Sequence, residues 1–330
     1  MGRLPLAVLC ALLCLPSARA EPVKIRVGWV VVPFEVVPVL FEKTEMLRHN
    51  GVSYTFEAVH VQSSGTAIVA LASGELEVLG LTQLSTATAI ENAKLTDLRA
   101  ILDEYEDGVE GYFSNGFRVL NDGPVSTIED LKGRAVVTLA IGSSADMAIR
   151  AVLRRHGIGE HDYTNLEGAP QNMKAMLKDG KVALVATAGL TTHDPELVAT
   201  THVLFSRRDA FNGPSQEATF FARAPFIAVH RAEMADFIED YLRALRWFAD
   251  PANHAEAVQR VAAFTKLPAD RFQWLFTKDD EYRARDGVPN LPSLQHALDT
   301  LKELGIVQTV PTIAAYADLS LVKEAAARIK

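Results

Sequence analysis

Leu131-Lys132-Gly133-Arg134-Ala135-Val136-Val137-Thr138-Leu139-Ala140-Ile141-Gly142-Ser143-Ser144-Ala145-Asp146, running on to Gly157, is the stretch around which the chain is organised. Ala135 to Ala140 is aliphatic and β-branched, the mark of a buried strand. A small glycine-containing turn follows, then a helical pattern. Ser143 is placed to cap the helix, and Asp146 stands at the capping-box position. Met147, Ala148, Ala151 and Val152 share one face, Arg150, Arg154 and Arg155 lie off it, and Gly157 stops the helix. A strand that turns straight into a helix N-terminus leaves N–H donors free for an anion or a polar ligand group. Any capped helix needs such a turn, so the case for binding depends on finding more of them.

They recur. Lys24 to Val31 is a first strand, and a helix follows Pro33-Phe34 to about Leu47. Tyr54 to Val61 alternates as a second strand before Gln62-Ser63-Ser64-Gly65-Thr66 and a helix closed by Gly74. A short strand from Glu75 to Gly80 runs into Leu81-Thr82-Gln83 and another helix, to about Ala93. A strand near Leu98–Leu102 precedes the acidic run Asp103-Glu104-Tyr105-Glu106-Asp107, read as a solvated hinge or, less simply, as a site for a cation. A second unit repeats the plan: Gly111 to Leu120 is extended, the opening stretch supplies strand and helix, and a helix from Ala169 to Gly180 leads to a strand from Lys181 to Thr187. Leu71-Ala72-Ser73-Gly74-Glu75-Leu76-Glu77-Val78 echoes Leu177-Lys178-Asp179-Gly180-Lys181-Val182-Ala183-Leu184, 106 residues on. Two similar α/β lobes with doubly wound sheets account for the echo. After the loop Phe211-Asn212-Gly213-Pro214-Ser215 and a strand near Ala218–Ala222, the chain turns helical. Trp247, Phe248, Phe264, Phe272, Trp274 and Phe276 read as its core.

The chain has 330 residues, 48% of them hydrophobic, enough for about two domains. Arg3, the apolar run Leu4–Leu15 and Ala18-Arg19-Ala20 before Glu21 form a secretory signal peptide, residues 1–20, cleaved after Ala20. Leu9 and Leu13 precede Cys10 and Cys14, where lipid attachment wants a small residue. Both cysteines leave with the signal, so a disulfide, a thiolate nucleophile and a cysteine metal site are excluded. Without the signal, 31 Lys and Arg stand against 41 Asp and Glu, a net charge of −10 that argues against nucleic acid.

Taken together, the chain resembles the periplasmic substrate-binding proteins of ABC importers, in the nitrate, taurine and alkanesulfonate branch. The likeness rests on Val27-Gly28-Trp29 with its Pro-Phe loop, Ala70 to Val78, Ile128 to Val136, Gly142-Ser143-Ser144-Ala145, the strand entry at Lys178–Ala186, Phe211 to Ser215, Glu303 to Ile306, and Asp318 to Leu321. The resemblance implies a two-lobed, type II-like fold with a helical C-terminal tail. Lobe I would comprise residues 21–110 plus 213–330, and lobe II residues 111–212. It also implies hinge closure on a small-molecule ligand, delivery to an ABC permease, a periplasmic location, a monomer, and no cofactor or metal. Ligands of α/β sheets sit at strand C-termini and helix N-termini. The expected contacts are therefore Val32, Gln62, Ser63, Ser64, Thr82, Gln83, Gly142, Ser143, Ser144, Thr187 and Asn212, walled by Trp29, Phe34, Tyr112 and Phe211. Where family members carry bulkier residues, this chain reads Ala186-Thr187-Ala188-Gly189-Leu190. The smaller side chains imply a roomier pocket and an organic sulfonate or carboxylate ligand, aromatic ones included. Arg118 is a candidate partner for a ligand carboxylate or a solvated strand residue.

Other functions are less consistent with the residues. No G-x-S-x-G, P-loop or H-E-x-x-H motif marks an exported enzyme, and His193-Asp194 reads as a surface pair. The related thiamine-pyrimidine synthase needs a cysteine-rich segment that this chain lacks. A sensory or partner-binding protein on the same fold remains the alternative.

Overall fold

The computed structural model describes residues 21–329; the signal peptide expected at 1–20 lies outside the described residues. β1 (Val23–Trp29) leads through α1 (Val37–Leu40) to β2 (Tyr54–His60), α2 (Ser64–Ser73), β3 (Val78–Thr82), α3 (Gln83–Ala87) and β4 (Leu98–Asp107). The chain then crosses over to β5 (Gly116–Leu120), β6 (Ala135–Thr138), α4 (Ser144–Arg155), β7 (Thr164–Glu167), α5 (Pro170–Lys178), β8 (Leu184–Ala186), α6 (Pro195–Thr200), β9 (Thr201–Ser206) and α7 (Arg207–Phe211). It returns as β10 (Ser215–Arg223) and finishes in α8 (Ala224–Val229), α9 (Arg231–Phe248), α10 (His254–Thr265), α11 (Leu291–Glu303) and α12 (Ser320–Arg328).

Two five-stranded sheets result, ordered β2-β1-β3-β10-β4 and β7-β6-β8-β5-β9. The first three strands of each pair in parallel; the fourth, β10 or β5, runs antiparallel to both neighbours. Each antiparallel strand is the one that has just crossed from the other lobe. The sheets thus have one topology, and the α/β, periplasmic-binding-protein class expected from sequence is the observed one.

The echo extends to individual hydrogen bonds. Gly74 and Gly180 both take a positive φ, +79° and +68°. After the first, Glu75 N and Leu76 N donate to Ala70 O at 2.8 and 3.2 Å; after the second, Lys181 N and Val182 N donate to Met176 O at 2.9 and 3.3 Å. Glu77 N then joins Arg26 O, and Ala183 N joins Ala135 O, at 3.0 and 2.7 Å. Leucine three residues before the glycine is buried in both copies (Leu71, Leu177). Apolar burial therefore fixes the helix while glycine supplies the left-handed turn.

The helical tail packs on the first sheet: Phe237, Tyr241 and Leu245 of α9 share a buried cluster with Ile25, Val27 and Phe220. The segment after α10 also runs along the outer edge of β4. Tyr282 and Glu106 exchange N–H···O bonds at 2.7 and 2.9 Å, and Asp103 N donates to Gly287 O at 2.7 Å. This covered edge corrects the reading of Asp103–Asp107 as a solvated hinge. β4 continues through all five residues, and Asp103, Glu104, Glu106 and Asp107 are buried. Strands β7 (Thr-Asn-Leu-Glu) and β9 were not expected, and the helix expected to Leu47 ends at Leu40, with a 3₁₀ turn at Thr44–Met46. No described helix is long and apolar enough to cross a membrane.

Candidate functional site

The lobes touch on both sides of a polar floor. On one side Leu84 lies against Gly142, where a Cβ would stand 3.2 Å from the leucine methyl; on the other the Phe34 ring lies against Gly189, 3.0 Å from where a Cβ would be. Both glycines have positive φ, so a larger residue would be strained and would push the lobes apart.

Between these contacts lies a chain of buried side chains. Gln83, first residue of α3, donates through Nε2 to Ser215 Oγ (3.2 Å), Gln216 O (2.8 Å) and Glu217 Oε1 (3.1 Å). Glu217 Oε2 accepts from Arg207 at 2.9 Å, and the same guanidinium stands 3.6 Å from Asp107. Asp107 accepts from Asn115 N and Nδ2 at 2.9 and 2.7 Å, and Asn115 Nδ2 also donates to Glu281 at 2.9 Å. Ser144 of α4 brings its hydroxyl beside Glu217 without closing a hydrogen bond. Three buried atoms of this group have no partner among the described residues: Gln83 Oε1, Ser144 Oγ and Arg207 Nε. Gln83 and Ser144 belong to different sheets' helices, and Arg207 sits at the second crossover.

A second group adjoins it. Phe34 stacks on Tyr105 with centroids 6.2 Å apart. Arg283 pairs with Asp280 at 2.6 Å, reaches the Pro33 and Phe34 carbonyls at 3.3 Å, and lies 5.9 Å over the Tyr105 ring. Glu35 accepts from Val30 N, and from Val31 N at 3.0 Å, holding the loop after β1. The Glu104 carboxyl lies over Gly80, where a Cβ would meet it at 2.1 Å. Among the described residues neither Glu104 oxygen has a partner, nor does the buried Tyr241 hydroxyl.

The electrostatics follow from burial. Desolvation raises the Glu217 and Glu35 carboxyls, lifts Glu104 well above the usual range, and, with Asp280 adding to it, pushes Glu281 up to about 7. The Tyr105 phenol is raised by burial first and then by Glu217, Glu104, Glu281 and Glu35, which surround it. Burial works against the Arg207 charge, yet Glu217 and Asp107 keep it protonated.

The expected site residues fall into two sets. Phe34, Gln83, Gly142 and Ser144 meet at the floor, with Thr82 beside them donating to Ser85 Oγ at 3.1 Å. Ser143 is spent as the cap of α4, accepting from Asp146 N at 3.3 Å, while Asp146 takes the Gly142 amide at 2.7 Å. Thr187 turns its hydroxyl to Gly116 O at 2.8 Å and lines a cavity of about 390 Å³ at the exit of β8 with Ala186, Leu190, Thr191, Lys174 and Arg271. This is where small residues implied room. Gln62, Ser63 and Ser64 are exposed, Ser63 capping α2 through Thr66 N at 3.3 Å. Trp29 packs on His60 and Phe264 at 4.5 and 5.6 Å, and Val32 packs into the same side of lobe I. Tyr112 meets Tyr282 edge-on at 4.9 Å. Phe211 is a core residue, and Asn212 is the left-handed cap of α7, tied to Arg155 at 3.0 Å. Arg118 is held by Thr201 at 2.7 Å. His193 is half-buried and stacks on Trp274 at 4.3 Å.

Sequence reasoning missed Arg207, Glu217 and Glu281, for which no local motif stands in the sequence. Glu104 and Tyr105 lie in the acidic run weighed as a solvated hinge or a site for a cation; it directly follows an apolar strand with no glycine or proline to end it. Among the described residues His49, Asp236 and Glu239 could together hold a metal. Arg328 already pairs with Asp236 at 2.8 Å and Arg243 with Glu239 at 2.7 Å, so their charge is compensated.

A family model described as NMT1/THI5 like matches residues 62–254. No curated protein matches. Among solved structures, the periplasmic aliphatic sulphonate binding protein SsuA from Escherichia coli superposes with a TM-score of 0.70 at 18% identity, covering 90% of this chain and 92% of that one. The periplasmic nitrate-binding protein NrtA from Synechocystis PCC 6803 gives 0.69 at 16% over 94% and 90%. The desulfurization enzyme DSZB gives 0.68 at 11% over 93% and 100%. At these identities the likeness is one of fold.

Proposed function

The chain belongs to the NMT1/THI5-like family, and from that premise we propose that it is an extracytoplasmic solute-binding protein. It captures a small organic ligand between lobe I (21–110 and 213–330) and lobe II (111–212), closes on it at the crossovers, and delivers it to an ABC permease from the periplasm. One observation carries this reading: Gln83 Oε1, Ser144 Oγ and Arg207 Nε, drawn from both lobes and a crossover, are buried together without partners. Buried polar groups are otherwise satisfied nearly everywhere in folded proteins. Orphaned polar atoms gathered at one inter-lobe floor match a ligand that reaches into it. Phe34 and Tyr105 add the apolar wall of a small-molecule site. The sulphonate- and nitrate-binding relatives in structure support a binder. The enzyme relative is set against a chain whose only cysteines are Cys10 and Cys14, so the described residues offer no thiol.

The test is a thermal-shift screen of residues 21–330 with alkanesulfonates, taurine, nitrate, bicarbonate, aromatic carboxylates, amidines and thiamine precursors. A ligand at a hundred times its Kd adds about 2.7 kcal/mol and moves the melting point by several degrees. The shift should vanish on Gln83→Ala. Ligands that stabilise the parent and the Gln83→Ala variant equally would place binding elsewhere and sink the reading.

A further inference from the structure

We propose that the group seated on this floor is a flat nitrogen cation of the amidinium or guanidinium class, not the sulfonate or carboxylate that the family resemblance implies; the inference rests on the inter-lobe reading above. The charge balance comes first. Glu35, Glu104, Asp107, Glu217 and Glu281 gather about Tyr105 and its surroundings, while Arg207 is already shared between Glu217 at 2.9 Å and Asp107 at 3.6 Å. Arg283 is likewise engaged by Asp280 at 2.6 Å. Among the described residues both guanidinium charges at the floor are thus paired, and an anion there would meet a surplus of acidic side chains in a low-dielectric site.

The orphaned atoms give an independent second argument. Gln83 is 1% exposed, and its Nε2 faces the Gln216 carbonyl and the Glu217 carboxylate, both acceptors. Flipping the amide would set oxygen against oxygen, so Oε1 is the atom left over, and only a donor satisfies it. Glu104, also 1% exposed, has no partner on either carboxyl oxygen among the described residues. Gly80 makes its placement possible, since a Cβ there would collide with the carboxyl. Several N–H donors on one planar, positively charged group complement the Gln83 and Glu104 oxygens, and leave Arg207 Nε and Arg283 Nε, the buried guanidinium donors without a partner among the described residues, to other parts of the ligand or to solvent.

Benzamidinium, benzamide and benzoate share one shape and differ in charge. Titration calorimetry at pH 8 on residues 21–330 should show binding by benzamidinium, weaker binding by benzamide, and none by benzoate. Glu217→Gln should weaken benzamidinium at least tenfold. Glu104→Gln, which alters no ion pair, serves as the second variant should the first not fold. Benzoate or an alkanesulfonate binding while benzamidinium does not overturns the charge class and leaves the inter-lobe reading standing. Unchanged benzamidinium affinity in both variants overturns the assignment to these carboxylates. No binding by any of the three probes overturns the proposal, and silence across the wider ligand screen then overturns the inter-lobe reading as well.

Discussion

Replacing Glu281 by Gln should stabilise the protein, and only at high pH. The carboxyl is 4% exposed and held at about 7 against an ordinary 4.5, by burial first and by its neighbour Asp280 second; Arg283 and the Asn115 amide pull the other way. A folded-state value above the unfolded one means that the fold favours the protonated acid. The full stability is present below about pH 4.5 and is lost as pH rises through about 7. The gap corresponds to about 3 kcal/mol at pH 8 and to less than about 1 kcal/mol at pH 5. Glutamine keeps the oxygen that accepts from Asn115 Nδ2 at 2.9 Å and cannot ionise. Urea unfolding of parent and variant at both pH values measures the difference. The variant should gain about 2–3 kcal/mol at pH 8, on the order of 5–10 °C in melting temperature, and little at pH 5. An equal change at the two pH values, or a loss at pH 8, would refute the argument, because the side chain would then act through packing alone.

Removing Arg207 as Leu leaves Glu217 and Asp107 buried without their cation; about 3–5 kcal/mol should be lost, and adding Glu217→Gln should recover part of it in the same unfolding assay. Gly80→Ala forces a methyl onto the Glu104 carboxyl at 2.1 Å and should cost about 1–3 kcal/mol, less when combined with Glu104→Ala. Ser143→Ala removes the cap of α4 and should cost about 1 kcal/mol, read as faster amide exchange in that helix's first turn.

Much of the architecture was legible because its signals are local. Leu71 and Leu177 mark buried helix faces, Gly74 and Gly180 the left-handed stops, and both copies of the unit fold with the same hydrogen bonds. Ser143 could be named as a cap from its place before an amphipathic run. β7 was invisible because Thr164–Glu167 is short, polar and half-exposed, with no alternation to betray it. Of the residues at the floor, Gln83 and Ser144 were legible because they open helices after strands. The same rule also selected Ser63, which caps an exposed helix, and Asn212, which caps α7. Position at a helix end says that a polar residue is needed there, not that it faces the cleft.

Sequence alone thus determined an α/β chain built from two like units with a helical tail, because periodicity, capping and glycine stops act over a few residues. The character of the floor was decided only by tertiary structure. Glu104, the Arg207–Glu217 pair and Glu281 are far apart along the chain, and they come to the surroundings of Tyr105 because β10 returns antiparallel beside β4 while the segment around Tyr282 seals β4's other edge. The same acidic run in an open strand would be solvated and unremarkable in its charge. Enclosed by that edge, its carboxyls lose water and shift upward.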